Sequence, residues 1–200
     1  MEHLNHLYGQ KKEQIRQRLC HFSSIRNEDI FYELCFCLLT PQSKGKKCDE
    51  AVQRLMAEGF SLHDLDLERL LRTHTRFHNH KAAYLRLMKE QYPLILEHLA
   101  AEKDAFALRS WLVCHVRGMG MKEASHFLRN IGYRGLAILD RHILKQLVSC
   151  RVIDTIPKTL SLATYLEIEQ RFLDFSKRVN IDMDELDLLF WSNETGEVFK

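Results

Sequence analysis

Residues 118–130 decide the fold, and they read GMGMKEASHFLRN. Glycine is scarce in the chain, with 8 in 200 residues, yet half of these glycines lie between Gly118 and Gly135. Gly118 and Gly120 separate an apolar stretch from a segment of helical periodicity that begins at Met121 or Lys122. Glycine adopts positive φ without a steric penalty and leaves room for close approach to a surface. We therefore predict two helices joined by a tight hairpin over about residues 109–130.

The predicted hairpin presents the free backbone N–H groups of the second helix, and such donors bind anions, including a DNA phosphate. An ordinary turn between two helices explains the glycines equally well. Lys122 lies in the first turn of that helix, where its charge opposes the helix dipole, and a lysine so placed is a candidate amine nucleophile. Asp140 follows the apolar run 136–139 and is a candidate catalytic carboxylate, although it is also a candidate helix N-cap.

The composition favours an all-α fold. Eight glycines and 3 prolines in 200 residues are too few for a sandwich or barrel, which needs a turn about every ten residues. The same scarcity excludes collagen-like and Pro/Gly-rich disordered chains. We expect one domain over residues 1–200, a compact helical body whose two lobes share the active-site groove. The net charge of +2 neither requires nor excludes a nucleic-acid partner.

Apolar periodicity and capping residues predict the individual helices. The helix over 28–39, with Asn27 as its N-cap, is apolar nearly all round, which is typical of a buried central helix. Ser43 is the predicted N-cap of a helix that ends at Gly59, and Pro93 is predicted to start a new short helix. The other helices are expected at 2–22, 67–74, 79–92 (N-cap Asn79), 104–116 (N-cap Asp104), 122–130, 141–150, 162–179 and 183–191.

The cysteines and the termini bear on location and cofactors. The six cysteines form no C-x-x-C pair and no export signal precedes them, so buried, reduced thiols are expected. Because no cysteine follows Cys150, a C-terminal iron–sulfur cluster is not expected. The chain lacks a signal segment and an apolar run of about 20 residues, which predicts a cytoplasmic protein without a membrane span. His78 and His80 lack a second ligand pair, so neither a metal nor another cofactor is expected.

With these motifs, the sequence resembles the helix-hairpin-helix DNA glycosylase superfamily. Within it, the match is to the archaeal-type (second) family of 8-oxoguanine DNA glycosylase/AP lyases. The resemblance covers most of the chain, and Asp140 falls 18 residues after Lys122, as in bifunctional members. Met119 and Met121 occupy hairpin positions that vary among members. The segments that carry the resemblance are 31–44, 76–81, 118–130, 136–142 and 191–200.

The resemblance implies a mechanism. The Lys122 amine attacks C1′ of the damaged nucleotide and expels the base, and the resulting Schiff base undergoes β-elimination, which nicks the strand. Asp140 stabilises the positive charge that develops on the sugar and assists proton movement around Lys122. The implied partner is double-stranded DNA that contains 8-oxoguanine or an abasic site, bound by a monomer, and the nucleotide must be flipped out of the duplex.

The resemblance also implies DNA-binding residues. Gln42 matches the position where a side chain fills the vacated stack or touches the opposite base, although it also reads as a polar loop residue. Gly118 and Gly120 would bring the hairpin to the DNA. Lys44, with Lys46 and Lys47, belongs either to a phosphate-binding surface or to a solvated face.

The base pocket needs flat apolar faces on both sides of an extruded purine. Phe77 and Trp191 are the candidates, although aromatic residues are more often part of a core. The resemblance further implies that the end of the chain, at Lys200, reaches the base pocket. A frayed tail is the alternative for that segment.

Three other functions stay open at this point. An endonuclease III-like enzyme for oxidised pyrimidines would use the same chemistry, but such members usually carry a C-terminal iron–sulfur cluster that this chain cannot build. A non-catalytic helix-hairpin-helix module that only binds DNA would explain the glycines but neither Lys122 nor Asp140. The third is a helical scaffold with no role on DNA.

Overall fold

The computed structural model describes residues 2–26 and 28–200, and in these residues all regular secondary structure is helical. The predicted all-α class is confirmed. No helix in the described ranges is both long and apolar enough to cross a membrane. The helices are, in chain order, α1 (Glu2–Ser24), α2 (Glu28–Leu39), α3 (Gly45–Ala57), α4 (Leu67–Leu71), α5 (His78–Ala101), α6 (Ala105–His115), α7 (Met121–Asn130), α8 (Arg141–Ser149), α9 (Leu162–Val179) and α10 (Met183–Thr195).

The chain divides into two compact units, and the division falls within α7. The central unit comprises residues 25–26 and 28–127, with α2 to α6 and the start of α7. The terminal unit comprises residues 2–24 and 128–200, with α1, the end of α7 and α8 to α10. Each unit has its own buried core.

Helix α2 lies at the centre of the central unit. Every residue from Phe31 to Leu39 is buried, and α2 packs against α3 and α5. A helix without a polar face is stable only when it is covered on all sides. The prediction of a buried central helix is therefore confirmed, whereas its predicted N-cap, Asn27, lies outside the described residues.

Helix α10 is the central, mostly buried helix of the terminal unit, where it packs against α1, α8 and α9. It buries several acidic side chains, and each needs a partner because a buried unpaired charge is costly. Arg16 Nε donates to Glu185 Oε1 at 2.8 Å, and Tyr8 also donates to Glu185. Arg129 Nη1 donates to Asp187 Oδ2 at 3.1 Å. The core of this unit thus combines apolar packing with paired charges.

The structure corrects the prediction for Pro93. Helix α5 continues through this proline from His78 to Ala101, and Phe77 rather than Asn79 is its N-cap. A proline inside a helix removes a hydrogen bond and costs about 3 kcal/mol. Helix α5 buries Met88 before the proline and Ile95 after it, so tertiary packing on both sides offsets the local cost.

Other helix ends also differ from the predictions. Helix α4 ends at Leu71, three residues early, and α10 continues to Thr195, where Gly196 with φ 88° ends it. Lys44 and not Ser43 is the N-cap of α3. The N-cap prediction for Asp104 is confirmed, because its side chain accepts the Phe106 N–H.

The prediction of buried thiols holds for only half of the cysteines. All six are free; Cys35, Cys37 and Cys48 are buried, Cys150 is half-buried, and Cys20 and Cys114 are exposed. Apolar neighbours in sequence do not ensure burial on a helix, since consecutive residues point about 100° apart.

Candidate active site

The hairpin between α6 and α7 depends on Gly118. Its φ is 90°, and a Cβ at this position would lie 2.3 Å from Cδ2 of Tyr84 on α5. Only glycine satisfies both the backbone conformation and the ring contact. Gly120 does not adopt a positive φ. Gly118 is thus in close contact with a side chain of its own unit, and the predicted approach of the hairpin to DNA stays a prediction.

Lys122 lies in the first turn of α7, as predicted, with 22% of its side chain exposed. Its Nζ lies 3.3 Å from Glu123 Oε1, and Glu123 Oε2 accepts the Gly120 backbone N–H at 3.3 Å. Glu123 therefore caps the start of α7 and holds the amine beside the hairpin. Sequence reasoning missed Glu123, although an acidic residue three positions after an N-cap is a known signal for a helix start.

A second lysine of the central unit, Lys81, is only 4% exposed. Its Nζ donates to Leu39 O at 2.7 Å, Pro41 O at 2.7 Å, Ser43 Oγ at 3.0 Å and Thr75 Oγ1 at 2.6 Å. An ammonium group has three N–H donors, so these four acceptors share them. Burial is the main cause that lowers the pKa of Lys81 to about 8. Sequence reasoning did not single out this residue, since nothing local marks a buried lysine.

Gln42 and Phe77 share an uncommon backbone conformation. Both are exposed, and their φ values of 54° and 56° lie in the left-handed region. This region costs a non-glycine residue about 1–2 kcal/mol, so the surrounding structure must impose it. Phe77 is 53% exposed and is not a core residue.

One cleft of the central unit brings several predicted residues together. Gln42, Phe77 and Gly118 line this cavity of about 250 Å³. The remaining lining residues are Leu38, Pro41, His80, Lys81 and Tyr84. An exposed amide and an exposed aromatic ring therefore face one cavity at the hairpin.

The lysines after Gln42 are exposed at the start of α3. Lys47 Nζ pairs with Glu50 at 2.5 Å, and Lys44 is the N-cap without a side-chain cap bond. The Ser43 hydroxyl is not available to α3, because it accepts the Arg76 N–H at 3.0 Å and a bond from Lys81. The prediction of Ser43 as an N-cap is wrong for this reason.

Asp140 belongs to the terminal unit, where it is the N-cap of α8, as predicted. Its Oδ1 accepts the Ile143 N–H at 2.8 Å, and its Oδ2 accepts the indole Nε1–H of Trp191 at 3.2 Å. The two bonds fix the plane of the carboxylate. Trp191 is half-buried, and its ring centroid lies 6.0 Å from that of His142.

The segment before Asp140 is buried and irregular, so its backbone groups need side-chain partners. Helix α9 supplies them. Glu169 Oε1 accepts the Ala137 N–H at 2.7 Å, and the Tyr165 hydroxyl donates to Ala137 O at 2.6 Å. The position of Asp140 thus depends on two α9 residues that sequence reasoning missed.

The C-terminal segment and the histidine pair complete the set of predicted residues. Residues 197–200 are half-buried, so Lys200 is not at the end of a fully exposed tail. His80 is exposed and His78 half-buried at the start of α5. In residues 2–26 and 28–200, no three or more His, Cys, Asp or Glu side chains form a group that could hold a metal.

Comparisons of the sequence with a family model and with known proteins point to the same family. Residues 14–181 match a family model described as 8-oxoguanine DNA glycosylase. A protein from Fusobacterium nucleatum called 8-oxoguanine DNA glycosylase/AP lyase is 39% identical, over 97% of this chain and 94% of its own length. A protein of the same name from Methanocaldococcus jannaschii is 41% identical, over 94% of this chain and 93% of its own length.

Solved structures show the same similarity in three dimensions. A crystal structure of the 8-oxoguanine DNA glycosylase of Methanocaldococcus jannaschii gives a TM-score of 0.89 at 37% identity, covering 100% of this chain and 95% of that chain. The glycosylase/lyase of that organism in complex with a 15mer DNA containing 8-oxoguanine gives 0.89 at 36% identity, covering 100% of both chains. The Thermotoga maritima 8-oxoguanine DNA glycosylase gives 0.87 at 29% identity, covering 100% of this chain and 97% of that chain.

The hairpin geometry predicts that Gly118→Ala destabilises the protein by about 2–4 kcal/mol. About 1–2 kcal/mol comes from the positive φ, and the rest from the overlap of the new Cβ with Tyr84. In a Tyr84→Ala background the overlap is gone, so the same substitution should cost only the backbone part. Urea denaturation of the four proteins measures this coupling. Equal costs in both backgrounds would contradict the role of the ring.

Proposed function

Because the chain belongs to the 8-oxoguanine DNA glycosylase family, we propose that it excises 8-oxoguanine from double-stranded DNA and then nicks the abasic strand. It is a DNA N-glycosylase with DNA-(apurinic or apyrimidinic site) lyase activity. The observation that carries the proposal is the similarity to 8-oxoguanine DNA glycosylase/AP lyases over nearly the whole of both chains. That similarity favours 8-oxoguanine over an oxidised pyrimidine, and catalysis over binding alone.

Lys122 is the proposed nucleophile. Its neutral amine attacks C1′, the N-glycosidic bond breaks, and the base leaves with the electron pair and is protonated. The opened sugar then forms a Schiff base with Nζ, and loss of a C2′ proton eliminates the 3′ phosphate. The position of Lys122 supports this role, since Glu123 holds Nζ at 3.3 Å next to backbone N–H groups suited to a phosphate.

Asp140 is the proposed electrostatic partner of this reaction. The sugar gains positive charge as the base leaves, and a fixed carboxylate stabilises such charge without reorganising. The bonds from Ile143 and Trp191 support this role because they hold both carboxylate oxygens in place. Asp140 also assists proton movement around Lys122.

The remaining predicted residues are proposed to bind DNA. Gln42 fills the stack that the flipped nucleotide leaves, Lys44 contacts a phosphate, and Gly118 and Gly120 bring the hairpin to the backbone. The exposure of Gln42 and Lys44 supports these roles.

Phe77, Trp191 and Lys200 are proposed to form the base pocket. The exposed ring of Phe77 supports a stacking role. Trp191 has a second task in this proposal, since its indole N–H also orients Asp140.

Borohydride trapping tests the nucleophile. With duplex DNA containing 8-oxoguanine, the wild-type protein should give a covalent adduct that survives denaturing electrophoresis. Lys122→Gln should give none, because an amide nitrogen is not nucleophilic. Lys177→Gln, at an exposed lysine of α9, is the matched control and should trap normally. A wild-type protein that binds the duplex without forming an adduct would support the DNA-binding module instead.

Asp140→Asn tests the carboxylate. The amide can accept only one of the two N–H bonds, so we expect about 1 kcal/mol of lost stability. Single-turnover excision should fall on the order of 100-fold or more. Ser161→Ala is the matched control, since it removes the N-cap of α9, should cost similar stability, and should leave excision unchanged. Wild-type excision by Asp140→Asn would remove Asp140 from the mechanism.

Deletion of Lys200 tests the C-terminal segment. Excision of 8-oxoguanine should fall if this residue contacts the flipped base, whereas nicking of a preformed abasic site, which has no base, should persist. Lys200→Ala separates the side chain from the terminal carboxylate. Equal excision with and without Lys200 would refute its place in the base pocket.

A further inference from the structure

The Lys81 ammonium joins three separate segments of the central unit. One acceptor, Leu39 O, belongs to the last residue of α2. Two others, Pro41 O and Ser43 Oγ, lie in the loop on both sides of Gln42. The fourth, Thr75 Oγ1, lies two residues before Phe77. The bonded distances run from 2.6 to 3.0 Å. One side chain therefore closes a hydrogen-bond network around both strained, exposed residues of the cleft.

The network continues beyond Lys81 to the backbone next to Phe77. Ser43 Oγ accepts the Arg76 N–H at 3.0 Å, and Ser43 and Thr75 share a hydrogen bond at 2.8 Å. Thr75 Oγ1 in turn donates to Leu39 O at 3.0 Å. The loop 40–43 and the segment 75–77 are thus fixed to each other through the atoms that surround Nζ.

Stability alone does not account for a lysine at this position. Burial, with the charge of Lys122 as a smaller cause, lowers the pKa of Lys81 from 10.5 to about 8; Cys48 and Glu123 act in the opposite direction. The protonated form is therefore less favourable in the folded chain than in the unfolded chain. This cost is present at pH 7 and is lost as the pH rises from about 8 to 10.5. An apolar side chain of similar length often replaces a buried charge without loss of stability.

A role as the attacking nucleophile does not explain the presence of Lys81 at this position either. The side chain is 4% exposed, and Nζ is surrounded by four acceptors of the protein itself. A nucleophilic amine needs a free lone pair and a path to C1′. The remaining feature of Lys81 is its set of hydrogen bonds to Pro41 and Ser43, on both sides of Gln42, and to Thr75, two residues before Phe77.

We propose that Lys81 is a positioning residue that holds Gln42 and Phe77 in the left-handed conformations in which they engage the opened duplex and the flipped base. The loop cannot keep two non-glycine residues in this region unaided, because each costs about 1–2 kcal/mol. The proposal rests on the proposed function, since it assigns Lys81 to the same DNA-binding site.

A double-mutant cycle between Lys81→Met and Gln42→Ala tests whether Lys81 acts through Gln42. Single-turnover excision of 8-oxoguanine and the fluorescence of 2-aminopurine placed opposite the lesion are measured for all four proteins. Lys81→Met should lower excision about tenfold or more, because small misplacements of a positioned group cost this much. In the Gln42→Ala background the same change should cost less than about twofold, since the residue it positions is gone. The 2-aminopurine signal should fall equally in both single variants.

Two further variants keep the test informative. The control Lys89→Met, on the same helix, removes a lysine whose Nζ bonds a different loop at His63 O and Asp64 Oδ1. This variant should excise 8-oxoguanine at the wild-type rate. Ser43→Ala removes the hydroxyl between Lys81 and Arg76 on a half-buried loop residue. If Lys81→Met does not fold, Ser43→Ala replaces it in the cycle and should show the same lack of additivity with Gln42→Ala.

The outcomes separate this inference from the proposed function. If the wild-type protein excises 8-oxoguanine and the effects of Lys81→Met and Gln42→Ala multiply, Lys81 does not act through Gln42 and the inference is overturned. Wild-type excision by both Lys81→Met and Ser43→Ala overturns it as well. If the wild-type protein neither excises 8-oxoguanine nor forms a borohydride-trapped adduct, the proposed function is refuted before the role of Lys81 is tested.

Discussion

The turn at Gly118 is the constraint on which the candidate site depends. A φ of 90° and a ring carbon of Tyr84 close to where a Cβ would lie strongly favour glycine at this position. Through this turn α6 passes directly into α7, so Lys122 falls in the first turn of a helix, where the backbone N–H groups have no acceptor within the helix itself. The position of Lys122, the start of α7 and one wall of the cleft all follow from this backbone conformation.

Buried polar groups are the second recurring feature, and two of them near the predicted site residues find partners that are distant in sequence. Lys81 reaches carbonyl groups at positions 39 and 41, and α9 supplies partners for the backbone before Asp140. Such bonds add little net stability when made, but a buried polar group left without one costs about 1–3 kcal/mol. They therefore specify geometry more than they add stability, which suits residues that must be held in place for chemistry.

Sequence reasoning succeeded where the cause is local. The helical class, the buried α2 and the caps at Asp104 and Asp140 follow from periodicity and from short-range hydrogen bonds. It failed at Pro93, where burial on both sides outweighs a local penalty, and at Ser43, whose hydroxyl is taken by Lys81 and the Arg76 N–H. Propensity is a weak guide wherever tertiary contacts of several kcal/mol compete with it.

By itself, the sequence determined the family, the all-α class and the candidates Lys122 and Asp140, because these rest on residue types at short, fixed spacings. Only the tertiary structure decided that Glu123 pairs with Lys122 and that Trp191 bonds the Asp140 carboxylate. It also decided that a buried lysine, Lys81, bonds the residues on both sides of Gln42. The physical reason is that hydrogen-bond partners and left-handed backbone are set by groups that meet only after folding. Periodicity shows which face of a helix is buried, but it does not show which polar atom of another element will bond a group on that face.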